Sequence, residues 1–337
     1  MARFMDPETL VKNRMMPWVE KYRPCLIDQI VSHEVILRVL RNQIRQKNFP
    51  NILLYGPPGT GKTTTINAAV REMFGNMSEF NVLELNGSND RGINVVRERI
   101  DAFSQHDLYT NKKGIQKIVI LDEADSMTND AQTTLQNVIE KYVETTRFCL
   151  ICNYNTKIIS SLRSVCTIFN FHAIPNNLHK THLLKITEHE QMNIADNALT
   201  DIVNISKGDM RQSINILQSL SMIYKDEHIT SDMLYENICQ IKPSKIMEII
   251  GILFDGNNTF TNIVTYLQNL EKQESLNISE IIIMIVDHII DNEIFDNIKT
   301  AQILLKLETI EKNVAIGSTS SIQLCGIAST IVSTLHN

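Results

Sequence analysis

The stretch GPPGTGKT (56–63) decides the fold of this chain. It directly follows the apolar, strand-like run NILLY (51–55) and opens TTTINAAVREMF (63–74), which is compatible with a helix. Glycines in such a loop let backbone N–H groups close around phosphate oxygens, and the positive end of the following helix strengthens the attraction. The pattern therefore predicts a phosphate-binding loop between a buried strand and a helix.

Each residue of this loop is a candidate nucleotide contact. Lys62 is predicted to reach the β- and γ-phosphates, and the Thr63 hydroxyl is predicted to bind Mg²⁺. A glycine turn can match the pattern by accident, but the strand before it and the helix after it make an accident rare. The predicted nucleotide-contacting set in the loop is Gly56, Pro57, Pro58, Gly59, Thr60, Gly61, Lys62, Thr63 and Thr64.

A second apolar run, KIVILDEAD (117–125), ends in acids and predicts the other half of the site. Asp122 is placed to hold Mg²⁺ through water, and Glu123 is placed to polarise the attacking water as a general base. Asp125 is better explained as an acid at the start of a helix. Together the two motifs predict binding and hydrolysis of ATP, with ATP and Mg²⁺ as the ligands.

The order of apolar runs and helical stretches predicts the fold class and the domains. Strands that are apolar throughout are covered on both faces, which indicates a parallel α/β sheet. After Pro175 the chain is predicted to be helical to its end. We predict an α/β nucleotide-binding domain (1–173), a small helical domain (174–238) and a C-terminal helical domain (239–337). The five predicted strands lie in NILLY (51–55), NVLEL (81–85), KIVILDE (117–123), RFCLICN (147–153) and CTIFNFH (166–172).

Composition excludes several classes of protein. With 337 residues and a formal charge of -6, the chain does not coat nucleic acid with its whole surface, although a local basic site stays open. No apolar run approaches the roughly 20 residues of a membrane span, and the N-terminus lacks the apolar segment of a secretory signal. Cys149 and Cys152 have the spacing of a zinc or redox pair, but they lie inside an apolar run with no second pair. Free thiols indicate a reducing compartment.

Several ordered motifs resemble those of one family. They are WVEKYRP (18–24), YGPPGTGKTT (55–64), LELNGSNDRGINVVR (83–97), ILDEADSMTNDAQ (120–132), RFCLICNY (147–154) and GDMRQSINILQ (208–218). The chain resembles the small subunits of replication factor C, the AAA+ ATPases of the eukaryotic and archaeal sliding-clamp loader. The resemblance covers about 15–240 and implies an AAA+ P-loop NTPase domain with a helical lid. Beyond 240, only helical character and length agree with the family's collar domain.

The resemblance also implies roles for residues outside the two nucleotide motifs. Asn153 is similar to sensor 1, which orients the attacking water, and Arg211 to sensor 2, a lid guanidinium near the γ-phosphate. Spacing alone would favour a turn cap for Asn153 and a solvated helix charge for Arg211. The segment that packs around adenine is matched by Val19, Tyr22 and Arg23, with Trp18 and Pro24 beside them.

DNA contact is implied for Arg91 and Arg97, on the segment that tracks the phosphate backbone of primer-template DNA in the family. Such contacts carry no sequence information, which suits a protein that acts at any primer end. A solvated helix face is the alternative for each arginine. The family usually has Leu-Arg-Arg where this chain has Leu135-Gln136-Asn137, so its contribution to DNA sensing is expected to be weaker.

The hexapeptide SLRSVC (161–166) occupies the site of the family's Ser-Arg-Cys motif, whose arginine reaches the ATP of a neighbouring subunit. Aligned on Leu162, Ser164 and Cys166, the finger position holds Val165. An aliphatic side chain cannot stabilise charge on a transferring phosphoryl group. Arg163 lies two residues earlier, about 200° around a helix axis, and is expected to point elsewhere. No finger in trans is therefore expected from this chain.

The resemblance implies a DNA- and clamp-stimulated ATPase that loads a ring-shaped clamp onto primer-template DNA. The implied partners are other clamp-loader subunits in a hetero-oligomer, expected to be a pentamer, a sliding clamp of the PCNA type, and DNA, with no membrane. A nucleus or another reducing replication compartment, including a viral one, is expected. Two alternatives stay open, an ATP-binding scaffold subunit without turnover and another AAA+ machine such as a branch-migration motor or protein remodeller.

Overall fold

The computed structural model describes 16–46, 49–75, 81–88, 93–105, 117–225, 227–238, 241–255, 258–274, 278–292 and 295–335. The chain divides into two compact units, one ending at Ser231 and the other beginning at Asp232. The predicted α/β part and the three helices that follow it lie in the first unit. The three-domain division at 173 and 238 stays a prediction.

Five parallel strands form one sheet in the first unit, as the apolar runs predicted. Their spatial order is β2-β3-β4-β1-β5, so β1 lies between β4 and β5. In register, Leu53 of β1 pairs with Leu150 of β4 and with Ile168 of β5. The strands are β1 (Ile52–Tyr55), β2 (Val82–Asn86), β3 (Lys117–Asp122), β4 (Thr146–Cys152) and β5 (Thr167–Asn170).

Helices pack on both faces of this sheet, which explains why the inner strands β1, β3 and β4 are almost entirely buried, whereas the edge strands β2 and β5 are partly exposed. Because successive strand residues point to opposite faces, Leu53 and Leu150 enter one core cluster. Ile52 and Cys149 enter the cluster on the other face. Cys152 lies in the same cluster as Leu150. The Cys149 and Cys152 thiols are thus buried on opposite faces and do not form a joint zinc or redox site.

The helices of the chain are numbered in order. In the first unit they are α1 (Trp18–Lys21), α2 (Glu34–Gln46), α3 (Lys62–Phe74), α4 (Ile93–Gln105), α5 (Asn129–Lys141), α6 (Ser160–Ser164), α7 (Asn176–His189), α8 (Asp196–Ser206) and α9 (Met210–Tyr224). Helix α10 (Ser231–Ile238) begins at the boundary, and the second unit continues with α11 (Pro243–Phe254), α12 (Phe260–Glu274), α13 (Ile278–Asp291), α14 (Asn297–Ile316) and α15 (Ser320–Leu335).

All the regular secondary structure in the described residues of the second unit is helical, as predicted for the C-terminal region. Its helices enclose one aliphatic core, in which Leu267, Ile285 and Leu324 are almost completely buried. Asp296 caps the start of α14 by accepting a hydrogen bond from the Lys299 backbone N–H at 2.9 Å. None of the described helices combines the length and apolar character needed to cross a bilayer.

Candidate active site

A cavity of about 400 Å³ opens at the carboxyl edge of the sheet. The loops after β1, β3 and β4 meet there, because parallel strands end at the same edge of a sheet. Of the predicted site residues, the following line it: Val19, Tyr22, Arg23, Pro58, Gly59, Thr60, Gly61, Lys62, Thr63, Thr64, Asp122, Glu123, Asn153 and Arg211. Gly56 and Pro57 lie behind this wall and contribute backbone carbonyls to it.

Two glycines of the predicted phosphate loop have positive φ and are approached closely, Gly56 by a backbone carbonyl and Gly59 by a side chain. Gly56 has φ +144°, and a Cβ there would lie 2.0 Å from the Phe171 carbonyl oxygen. Gly59 has φ +66°, and a Cβ there would lie 1.7 Å from Asp209 Oδ1. Both positions therefore exclude any side chain. Helix α3 begins at Lys62 directly after Gly61, so its N-terminus faces the cavity.

Lys62 connects the phosphate loop with the end of β4. Its ammonium donates to the carbonyls of Gly56 at 2.7 Å and Pro57 at 2.8 Å, and to Asn153 Oδ1 at 3.0 Å. Burial lowers the pKa of Lys62, and the nearby Asp122 carboxylate opposes that shift. Asn153 thus directs its side chain toward Lys62 inside the cavity.

Thr63 and Asp122 bring two hard oxygen donors together. The Thr63 hydroxyl donates to Asp122 Oδ2 at 2.8 Å, while Asp122 Oδ1 accepts the Glu123 backbone N–H at 2.9 Å. A hydroxyl beside a carboxylate at the foot of a phosphate loop suits Mg²⁺, which binds few protein oxygens and completes its shell with water and phosphate. The donor set therefore fits the predicted metal.

Glu123 has the left-handed backbone conformation, with φ 54° and ψ 40°. Residues other than glycine seldom adopt it, and such strain is concentrated at functional sites. Its carbonyl accepts both the backbone N–H and the hydroxyl of Ser126, at 2.9 and 2.7 Å. The turn places the exposed Glu123 side chain at the cavity next to Asp122.

Asp125 has a second role that the sequence interpretation missed. Its Oδ2 accepts the backbone N–H groups of Asn153 and Tyr154, each at 3.2 Å. One carboxylate therefore ties the loop after β3 to the loop after β4. The acid lies in the first turn of a short 3-10 helix as expected, but its partners are 28 and 29 residues away in sequence.

Arg211 reaches the cavity from the start of α9. The Met210 backbone N–H donates to the Gly59 carbonyl at 3.2 Å, and Asp209 caps the helix by accepting the Gln212 N–H at 3.1 Å. Helix α9 thus begins against the phosphate loop. Arg211 is exposed but lines the cavity, and its charge lowers the pKa of Lys62 as a minor cause.

Of the two predicted DNA residues, Arg97 does not line the cavity. Arg91 falls outside the described residues. Arg97 is exposed on α4, with Nε 3.6 Å from Asp101 Oδ2, and Asp101 also accepts from Lys141 at 3.0 Å and from Tyr142 at 2.6 Å. Arg97 therefore keeps its predicted exposure, but it has an acidic partner on its own helix.

Val165 directly follows α6, and its partly buried side chain packs against the core on one face of the sheet. Arg163 is the second-last residue of α6 and is only partly exposed. Its Nε is buried without a hydrogen-bond partner among the described residues. The hexapeptide therefore has an aliphatic residue, Val165, at the predicted finger position, and its guanidinium lies two residues earlier at Arg163.

Comparisons with known proteins agree over nearly the whole chain. The family model described as "ATPase family associated with various cellular activities (AAA)" matches residues 52–173, and "Replication factor C C-terminal domain" matches 241–330. "Probable replication factor C subunit 5" of Dictyostelium discoideum is 41% identical over 309 residues, covering 92% of this chain and 88% of that protein. "Replication factor C subunit 5" of Homo sapiens is 39% identical, covering 94% and 91%, and "Replication factor C subunit 3" of Schizosaccharomyces pombe is 37% identical, covering 98% and 95%.

Solved structures give a more distant likeness. A RuvB variant of Thermotoga maritima matches with a TM-score of 0.53 at 18% identity, covering 75% of this chain and 88% of that one. Another RuvB variant from the same organism has a TM-score of 0.52 at 17% identity, covering 75% and 89%. At this identity the likeness concerns the fold alone, and it agrees with the parallel sheet and helical domains described above.

Proposed function

Because this chain belongs to the replication factor C family, we propose that it acts as an ATP-hydrolysing small subunit of a DNA sliding-clamp loader. The single observation that carries the proposal is the convergence of Lys62, Thr63, Asp122 and Asn153, joined by hydrogen bonds, in one cavity. These are the residue types that bind nucleotide triphosphates in P-loop proteins. The AAA domain supplies the ATPase, and the relatives named above are replication factor C subunits.

The phosphate loop would hold the triphosphate of ATP. Backbone N–H groups of residues 59–63 would surround the β- and γ-phosphates, and Lys62 would exchange its carbonyl contacts for phosphate oxygens. The Thr63 hydroxyl and the Asp122 carboxylate would hold Mg²⁺, which when bound neutralises charge on the phosphates. Val19, Tyr22 and Arg23, at the far side of the cavity, would enclose the adenine.

Glu123 would act as the general base. Its carboxylate takes a proton from water as the water oxygen bonds to the γ-phosphorus, and the bond from that phosphorus to the bridging oxygen breaks to give ADP and phosphate. Asn153 would orient the water, and Arg211 would stabilise charge on the γ-phosphate. Removal of the γ-phosphate then breaks the contacts that join the phosphate loop to the lid, so hydrolysis times a conformational change.

The proposed partners are sibling subunits in a hetero-oligomer, most simply a pentamer, together with a sliding clamp of the PCNA type and primer-template DNA. Arg91 and Arg97 would contact phosphates of the DNA backbone. The net charge of -6 fits local rather than global contact with DNA. A complex that acts on replicating DNA would be located in the nucleus or in another reducing replication compartment.

Two substitutions in the reconstituted complex test the proposal. Lys62→Ala is expected to abolish ATP binding at this site, and Glu123→Gln to retain binding while lowering its hydrolysis by roughly a hundredfold or more. DNA- and clamp-stimulated ATPase provides the measurement, with Asp130→Asn, an exposed acid on α5, as the control. Turnover unchanged by both substitutions would instead support the ATP-binding scaffold without its own hydrolysis.

Clamp binding tests the partner assignment separately. With a slowly hydrolysed ATP analogue, the complex is expected to retain a ring-shaped clamp during co-purification. Lys62→Ala should weaken that retention, because the nucleotide holds neighbouring α/β domains in the clamp-binding arrangement. A complex that hydrolyses ATP but never retains a clamp would favour another AAA+ machine.

A further inference from the structure

Glu190 follows the last residue of lid helix α7 and accepts hydrogen bonds from two side chains near the start of the described chain. Its carboxylate accepts hydrogen bonds from Lys21 Nζ and from the Tyr22 hydroxyl, and the Tyr22 hydroxyl also lies 2.7 Å from His189 Nδ1. The side chain of Glu190 is only 18% exposed, although it carries a charge. The contacts join residues 169 and 168 positions apart, so they connect the beginning of the described chain to the lid.

A second contact joins the N-terminal end of the short helix α1, at Trp18, to the lid. The Trp18 backbone N–H donates to Gln218 Oε1, on α9, at 2.9 Å. The rings of Trp18 and Tyr22 meet edge to face with centroids 6.2 Å apart. Apart from contacts with the adjacent Pro17 and Arg23, the polar contacts described for 18–22 go to lid helices α7 and α9 or to Glu190, which follows α7.

This segment also forms one wall of the nucleotide cavity. Val19, Tyr22 and Arg23 line the cavity, whereas the phosphate loop belongs to the wall between β1 and α3. The two walls therefore have different supports. The phosphate loop continues from β1 of the sheet and meets the lid only at the start of α9, through the Met210–Gly59 hydrogen bond among the described contacts, whereas the wall formed by 19–23 is held on the lid through Glu190 and Gln218.

The electrostatics of the contact favour a charged, hydrogen-bonded carboxylate. Burial opposes ionisation of Glu190, but the hydrogen bonds from Lys21 and Tyr22 and the Lys21 charge outweigh it, and the pKa of Glu190 is lowered. Burial, together with the hydrogen bond to Glu190 and its charge, raises the pKa of Tyr22, so its hydroxyl stays a donor. Charge-assisted hydrogen bonds of this kind are stronger and more directional than neutral ones.

We propose that Glu190 is a positioning residue that holds the base-facing wall, Val19 to Arg23, on the lid, so that recognition of the base and movement of the lid are one event. The proposal rests on the proposed function, in which the cavity takes ATP. Glu190 does not line the cavity, and its polar contacts among the described residues are with Lys21, Tyr22 and His189 rather than with the phosphate loop. Replacing Glu190 should therefore weaken binding of a nucleotide, which carries a base, and should not change binding of a phosphate chain that lacks a base.

Competition binding to the full-length chain distinguishes contacts with the base from contacts with the phosphates. A ribose-labelled fluorescent ATP analogue is displaced by Mg·ATP or by magnesium tripolyphosphate, which lacks a base. Glu190→Ala is expected to weaken the affinity for ATP about tenfold, because a charge-assisted contact is lost. The affinity for tripolyphosphate should change less than about twofold. Glu190→Gln keeps an acceptor oxygen and should recover part of the loss. Glu188→Ala, an exposed acid on the same helix, is the matched control.

The single tryptophan of the chain gives an independent measurement. Without nucleotide, Glu190→Ala should make Trp18 fluorescence more accessible to acrylamide than in the unaltered chain or in Glu188→Ala. Equal ATP affinity in Glu190→Ala and the unaltered chain, or an equal loss for ATP and tripolyphosphate, would overturn the inference and leave the proposed function intact. If the unaltered chain bound neither ligand, the proposed function would fail and this inference with it.

Discussion

At the scale of single residues, the hexapeptide SLRSVC distinguishes receiving a catalytic charge from supplying one. The chain's own cavity contains Lys62, Asp122 and Glu123, the residue types that hydrolysis needs. Position 165, where the family resemblance predicts the finger, holds valine, and its side chain packs against the core of this chain. In the proposed assembly such a subunit would receive an arginine from its neighbour and would give the next site no equivalent in return.

This asymmetry leads to a gain-of-function prediction. Val165→Arg is expected to raise ATP turnover of the complex about tenfold or more at the site that it faces, because an arginine supplied in trans stabilises transition-state charge. Arg163→Ala should leave turnover within about twofold. The measurement is steady-state ATPase of the reconstituted complex, with Val165→Lys distinguishing a planar guanidinium from a point charge. A large loss in Arg163→Ala would show that Arg163 acts as the finger.

At the scale of secondary-structure elements, the carboxyl ends of β3 and β4 are joined by one side chain. Asp125 accepts two backbone N–H groups at the start of the loop that carries Asn153. Without it, those donors lose their protein acceptor and the loop loses its fixed geometry. The position of Asn153 relative to Lys62 therefore depends on an acid outside the reacting groups.

Asp125→Ala is accordingly expected to lower kcat for ATP roughly tenfold, with a smaller change in KM, because binding depends mainly on the phosphate loop. Asp125→Asn retains an acceptor oxygen and should restore part of the rate. Steady-state kinetics of the complex measure kcat and KM separately, with Asp130→Ala on α5 as the control. A change confined to KM would contradict this role for Asp125.

The sequence predicts elements better than it predicts contacts between them. All five apolar runs form strands, and the three inner strands β3, β4 and β1 are buried on both faces, which leaves an apolar pattern that can be read from residue types, while the edge strands β2 and β5 are partly exposed. The contacts of Asp125 with Asn153 and of Glu190 with Tyr22 leave no such pattern, since the partners lie far apart in sequence. Lys62 and Asn153 were each singled out, but their direct hydrogen bond follows only from the order in which the strands pair.

At the scale of the whole molecule, three histidines make the stability of the first unit depend on pH. Burial lowers the pKa of His33, His179 and His182. His179 is completely buried, with Nε2 2.6 Å from Ser213 Oγ. Since the folded pKa lies below the unfolded value, the unfolded chain binds more protons between the two. Stability is therefore present above about pH 6.5 and falls as the pH decreases below it.

Urea unfolding between pH 8 and 5.5 tests this sign. The urea midpoint is expected to decrease on acidification. The free energy of unfolding should fall by up to about 1.4 kcal/mol per pH unit for each imidazole that protonates only on unfolding. His179→Gln should flatten the dependence, because it removes a completely buried imidazole whose pKa is lowered by burial. Glu280, whose pKa is raised by burial in the second unit, acts in the opposite direction, so unfolding should be followed through Trp18 in the first unit. A midpoint that rises on acidification would contradict the assignment.

The strand order also constrains how the protein is made. Strand β1 emerges from the ribosome early, but it pairs with β4 and β5, where Ile52 meets Cys149 and Thr167. At roughly 5–20 residues per second, several seconds pass between synthesis of β1 and of its neighbours. During that interval the apolar residues Ile52, Leu53 and Leu54 have no sheet to enter, and the phosphate loop has no supporting edge. Until translation has passed β5, the nascent chain therefore exposes an apolar strand that is prone to aggregation, and it has no completed site at which ATP could stabilise it.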